Sequence, residues 1–137
     1  MQPEFKEYQQ QVLKNAQVLS DTLQSKGIKI VSGGTDNHLV LLDLRGTGIT
    51  GLELEQRLAS VGIITNKNAI PFDKEKKNIT SGVRLGTPAL TSRGMKEHDM
   101  EQIGELIALT IFNFEEKKEY IKEMVGILCK TYPLDIR

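Results

Sequence analysis

Apolar residues recur at steps of three and four along the first part of the chain: Phe5, Tyr8, Val12, Ala16, Leu19 and Leu23, with Gln, Lys and Asp between them. That spacing predicts an amphipathic helix. Gly27 stands just past the last apolar position, where helices commonly end in a left-handed residue. Ile28 to Val31 and His38 to Leu44 then read as strands on either side of the loop Ser32 to Asn37. Thr50 and Glu53 have capping-box spacing ahead of a short helical stripe, Leu54, Leu58 and Val61, which Gly62 stops. Ile63 to Thr65 predicts a third strand, and residues 66–81 a polar, irregular stretch with Pro71 and the charged run Asp73 to Lys77. A loop of that length is usually functional or disordered, and the Asp73 to Lys77 stretch is expected to be mobile because nothing apolar is seen to anchor it. Gly82 to Gly86 predicts a further strand, followed by Thr87, Pro88 and a short helical turn. Met100, Ile103, Leu106, Ile107, Ile111 and Phe114 carry another helical stripe, and Tyr120, Met124, Ile127 and Leu128 a last one before Pro133. This order predicts an α+β fold, a two-layer sandwich of a small sheet of three or four strands with helices packed on one face.

Composition narrows the functions this fold can serve. A chain of 137 residues fits one domain spanning 1–137. Its eighteen basic and eighteen acidic residues cancel, which removes the field expected of a general nucleic-acid or anionic-membrane binder but leaves room for a local anion site. No apolar run approaches the ~20 residues that span a bilayer, and Met1 to Glu4 lack a signal-peptide pattern. The single cysteine, Cys129, excludes an internal disulfide and a cysteine-built zinc site, and suits the cytoplasm. With two histidines besides, no transition-metal site is expected. Aromatic residues are 5% of the chain and Trp is absent, so base-stacking platforms are not expected either.

Candidate chemistry concentrates in the second half. Arg84 alternates with Val83 and Leu85 and shares its own face with Gly82 and Gly86, which should leave space beside the guanidinium. A guanidinium so placed can grip a carboxylate or phosphate with its two-pronged fork. It could equally be an edge-strand arginine facing water or paired with an acid. The amides of Asn66 and Asn68 could hydrogen-bond a planar heteroaromatic ligand, or serve only as turn residues. The loop Ser32 to His38 lacks the Lys and Ser or Thr of a phosphate-binding loop, and a strand rather than a helix follows it. His98, between Glu97 and Asp99, is expected at the surface, and His38 as a hydrogen-bonded structural residue. No serine or cysteine stands in a nucleophile context, and no self-contained catalytic site assembles from these residues.

Three separated segments, Ser32 to Leu39, Asn66 to Asn68 and Ser81 to Gly94, together with Tyr132-Pro133, resemble serine hydroxymethyltransferase. The resemblance covers essentially the whole chain and corresponds to the family's C-terminal small domain, roughly its last third. It implies the small-domain fold of the fold-type I pyridoxal-phosphate enzymes. It also implies a part in interconverting serine plus tetrahydrofolate with glycine plus 5,10-methylenetetrahydrofolate. By that resemblance Arg84 grips the α-carboxylate of the amino acid, and Asn68 contacts the pterin of the folate. Ser32 to Asn37 would help shape the domain and its contact with the rest of the enzyme. Lys67 matches the asparagine-flanked lysine of the small domain, not the cofactor lysine. The Schiff-base lysine and the other groups that hold pyridoxal phosphate belong to the family's large domain, and no catalytic or metal-binding residue is assigned here. The chain is therefore expected to begin inside the helix joining the two domains, and to be inactive alone. Its implied partners are the large pyridoxal-phosphate domain, serine or glycine, tetrahydrofolate and, in the intact enzyme, other subunits of a homodimer or homotetramer. A different reading of the same residues is a stand-alone module binding small carboxylates and heterocycles, or an interaction module docking by the apolar edge of its first helix.

Overall fold

The computed structural model describes residues 3–31, 39–86 and 94–132. Expectations for the loop Ser32 to Asn37, for His38, and for the turn after Thr87-Pro88 lie outside those residues, as does Pro133. The chain runs α1 (Pro3–Ser25), β1 (Lys29–Ile30), β2 (Leu39–Asp43), α2 (Gly51–Ser60), β3 (Asn66–Asn68), β4 (Gly82–Gly86), α3 (Glu97–Phe112) and α4 (Phe114–Thr131). Among the described residues, four strands form one antiparallel sheet in the order β1-β2-β4-β3. The α+β fold and the layered arrangement are as the sequence pattern predicts.

Helices cover the sheet face that carries the buried aliphatics of β2 and β4. Val40 and Leu42 of β2 stand opposite Leu85 and Val83 of β4, and all four are buried. Val12, Ala16, Leu19 and Leu23 of α1 are buried, and the core continues through Leu54 and Leu58 of α2 and Met100, Ile103 and Ile107 of α3. Gly27 takes φ +88°, the left-handed geometry that ends α1 cheaply only for glycine. Thr50 caps α2, its hydroxyl accepting from the Glu53 N–H at 3.2 Å. Among the described residues no helix is long and apolar enough to cross a membrane.

Two expectations need correction. The third strand is Asn66–Asn68, not Ile63 to Thr65. Pairing with β4 sets its position, and Ile64 is left 82% exposed. Next, α3 ends at Phe112, so Phe114 opens α4 rather than continuing the earlier stripe. The buried side of α4 is Phe114, Ile121, Val125 and Leu128, while Tyr120 and Ile127 are about half exposed. Two apolar stripes compete on that helix, and packing against α3 selects one.

The chain is anchored on either side of the Asp73 to Lys77 stretch. Ile70 is only 4% exposed. Farther on, the carbonyls of Ile79 and Thr80 accept from the N–H groups of Leu52 (2.9 Å) and Gly51 (3.0 Å), two donors at the start of α2 that lack partners within the helix. Gly51 is required there, since a Cβ would strike the Gly82 carbonyl.

Candidate functional site

Side chains of adjacent strands align in rows, and the register settles which residues can share a ligand. On the sheet face away from the helices, Leu41, Arg84 and Asn66 form one cross-strand row, and Asp43, Gly82 and Asn68 the next. Arg84 and Asn68, the two residues singled out from the sequence, therefore lie on the same face of neighbouring strands. Lys67 alternates to the other face and pairs with Glu55 of α2, whose carboxylate lies 3.5 Å from the ammonium. Glu55 also accepts from the Lys67 backbone N–H at 2.8 Å, satisfying a donor of the edge strand.

Arg84 is not an edge-strand residue, because β4 lies between β2 and β3. Its side chain is exposed, and the ion pairs among the described residues are Arg45–Asp43, Arg57–Glu53 and Lys67–Glu55, none of which engages it. Asn66, directly across from Arg84, is exposed as well. Asn68 is half-buried, with its amide donating to the Ala69 carbonyl at 2.9 Å.

The space expected beside Arg84 is filled on its Gly82 side. A Cβ at Gly82 would lie 2.6 Å from both the Asn68 carbonyl oxygen and Ile70 Cγ2, and 2.9 Å from the Leu42 carbonyl. The glycine thus serves close approach of the chain after β3, with Ile70 packed on the sheet. Sequence reasoning missed this use because it depends on a segment that is remote along the chain.

Asp73, also missed, organises that segment. Its carboxylate accepts from the N–H groups of Ile70 (3.3 Å), Glu75 (2.9 Å) and Ser81 (2.8 Å), and from the Ser81 hydroxyl (2.8 Å). Partial burial pushes its pKa up, but the bonds from Glu75, Ser81 and Ile70 outweigh that and bring it down to about 2. The bond to Glu75, two residues on, is an Asx turn, a signal available in the sequence Pro71-Phe72-Asp73. On the same sheet face, a hydrogen bond from the Arg45 guanidinium holds the Asp43 carboxyl below the usual range despite burial.

The remaining expectations place no second site. His98 is exposed at the start of α3, as expected of a surface residue. Two open clefts, of about 360 and 270 Å³, flank the α3–α4 junction around Phe112 and Asn113, and neither is lined by Arg84 or Asn68.

Fold and face together define a class: a two-layer α+β domain presenting a cation and two amides on the sheet face its helices leave open. The description of the serine hydroxymethyltransferase family matches residues 1–107. A curated serine hydroxymethyltransferase of Methanospirillum hungatei JF-1 is 54% identical over 133 residues, covering 96% of this chain. The chain belongs to the serine hydroxymethyltransferase family, a family of transferases. It spans about a third of that relative's length, 32%.

Proposed function

We propose that residues 1–137 are the C-terminal small domain of a serine hydroxymethyltransferase, and that they orient substrates rather than perform bond chemistry. In this reading Arg84 binds the α-carboxylate of serine or glycine, and Asn68 hydrogen-bonds the pterin of tetrahydrofolate. The observation that carries it is the pairing register: an exposed arginine, unpaired among the described residues, shares one open sheet face with Asn66 and Asn68. A planar guanidinium suits a carboxylate, and a side-chain amide offers the donor and acceptor a heterocycle edge needs.

The described residues do not form a cofactor site. The lysine of the strands flanking Arg84, Lys67, faces α2 and is paired with Glu55, so it does not fit a bond to pyridoxal phosphate on the Arg84 face. When bound elsewhere in the intact enzyme, that cofactor would supply the electron sink for cleavage at the amino acid. The part played by this chain is fixing two reactants in a common frame, which lowers a barrier by removing their relative freedom. The isolated 137-residue chain should fold without converting serine to glycine.

Replacing Arg84 by Ala in the full-length enzyme tests the reading. A loss of serine affinity of about a hundredfold is expected, with cofactor binding retained. Unchanged serine affinity would sink the assignment.

A further inference from the structure

We infer that Asp73 is a positioning residue for the heterocyclic co-substrate, a latch that holds the chain leaving Asn68 against the strand bearing Arg84. The inference rests on the function proposed above and adds to it a residue that touches neither substrate.

The geometry carries it. One carboxylate gathers donors from both ends of the stretch between β3 and β4: Ile70, two residues after Asn68, and Ser81, the residue before β4. The bonds divide between its oxygens, Oδ2 accepting from the Ile70 and Ser81 backbone and Oδ1 from the Glu75 backbone and the Ser81 hydroxyl. With the neck closed, Ile70 is pressed into the sheet over Gly82, where a Cβ would collide with it. Gly82 is the register partner of Asn68, so the latch acts on the row that carries the amide. Arg84 depends on it less, since β4 is held on both sides by β2 and β3.

The strain around the latch fits this role. Phe72, next to Asp73, has φ 58° and is 93% exposed, a conformation a bulky residue adopts only when its surroundings impose it. Phe72 is the third residue of the turn Ile70 to Asp73, closed by the Asp73 N–H donating to the Ile70 carbonyl at 3.1 Å, and the carboxylate bonds to Ile70 and Ser81 tie that turn to the start of β4.

The test uses the full-length enzyme and reads the two substrates separately. Asp73→Ala should raise KM for tetrahydrofolate about tenfold or more, the loss expected from several bonds to a charged acceptor. KM for serine should change less than about threefold. Asp73→Asn, which keeps one accepting oxygen, should fall between Asp73→Ala and the parent. A role in stability alone would reduce the active fraction and leave both KM values unmoved. Should Asp73→Ala fail to fold, Ser81→Ala removes one of the four bonds and should still raise the folate KM about two- to fivefold. Hydrogen exchange at the Ile70 and Ser81 amides should accelerate in the same proteins. A folate KM unmoved in these variants, or one rising in step with the serine KM, overturns the latch. Asn68→Ala and Arg84→Ala separate that failure from failure of the underlying reading: if they lose folate and serine binding as expected while the Asp73 and Ser81 variants do not, only the latch is wrong.

Discussion

The two faces of the sheet are built by opposite rules. The helix-covered face is a row of buried aliphatics, Val40 and Leu42 against Leu85 and Val83, whose stabilisation comes from apolar area removed from water. The other face carries Arg84, Asn66, Asn68 and Asp43, and its order comes from hydrogen bonds and one apolar plug, Ile70. A single strand, β4, serves both, because alternate side chains point opposite ways. Neighbouring residues such as Val83 and Arg84 can therefore serve the core and the solvent-facing side separately.

That division can be attacked from the covered face outward. Leu42→Ala should cost the most, about 2–5 kcal/mol by chemical denaturation, because a fully buried leucine leaves a cavity among close-packed neighbours. Gly82→Ala probes the boundary between the faces. Its Cβ would displace Ile70 and crowd two carbonyls, so a loss of about 1–3 kcal/mol is expected, and a neutral result would mean that the close approach is not required.

Acid should then discriminate the hydrogen-bonded face from the apolar one. Asp73 has a carboxyl lowered from 3.8 to about 2, so its contribution is fully present above about pH 4 and is lost as pH falls through about 2. Urea midpoints measured between those values should fall less steeply for Asp73→Asn than for the parent chain. Parallel curves would remove Asp73 from the account. Smallest of all, Arg84→Ala should leave stability within about 0.5 kcal/mol, since its side chain is exposed and engages none of the ion pairs described. A large loss there would assign Arg84 to folding and erase the contrast between the faces.

What was legible from the sequence is what short-range physics decides. The α1 stripe, the Thr50 cap, the glycine after α1 and the alternation around Arg84 each depend on a few adjacent residues, and each is found where expected. Ile63 and Ile64 mislead because branched side chains suit strands, whereas the strand lies where β4 offers partners, from Asn66 on. Tyr120 and Ile127 mislead for a related reason: periodicity identifies an apolar stripe without saying which one meets α3. At the candidate site, Arg84 and Asn68 were readable as residue types. Their shared face, the filling of the Gly82 side by Ile70 and the latch at Asp73 were not, since each depends on contacts between separate segments.

The register that brings Leu41, Arg84 and Asn66 into one row also bears on how the domain comes into being. These residues arise in three stretches of chain, and the strand that unites them is the last of the four to be synthesised. Closing such remote pairings carries an entropic cost before contacts repay it, so they tend to form slowly. On a ribosome, α1, β1 and β2 can gather while the row of Arg84 does not yet exist. The Arg84 face is in this sense a record of completed assembly: a chain that presents Arg84 beside Asn66 has already threaded β4 between its two neighbours.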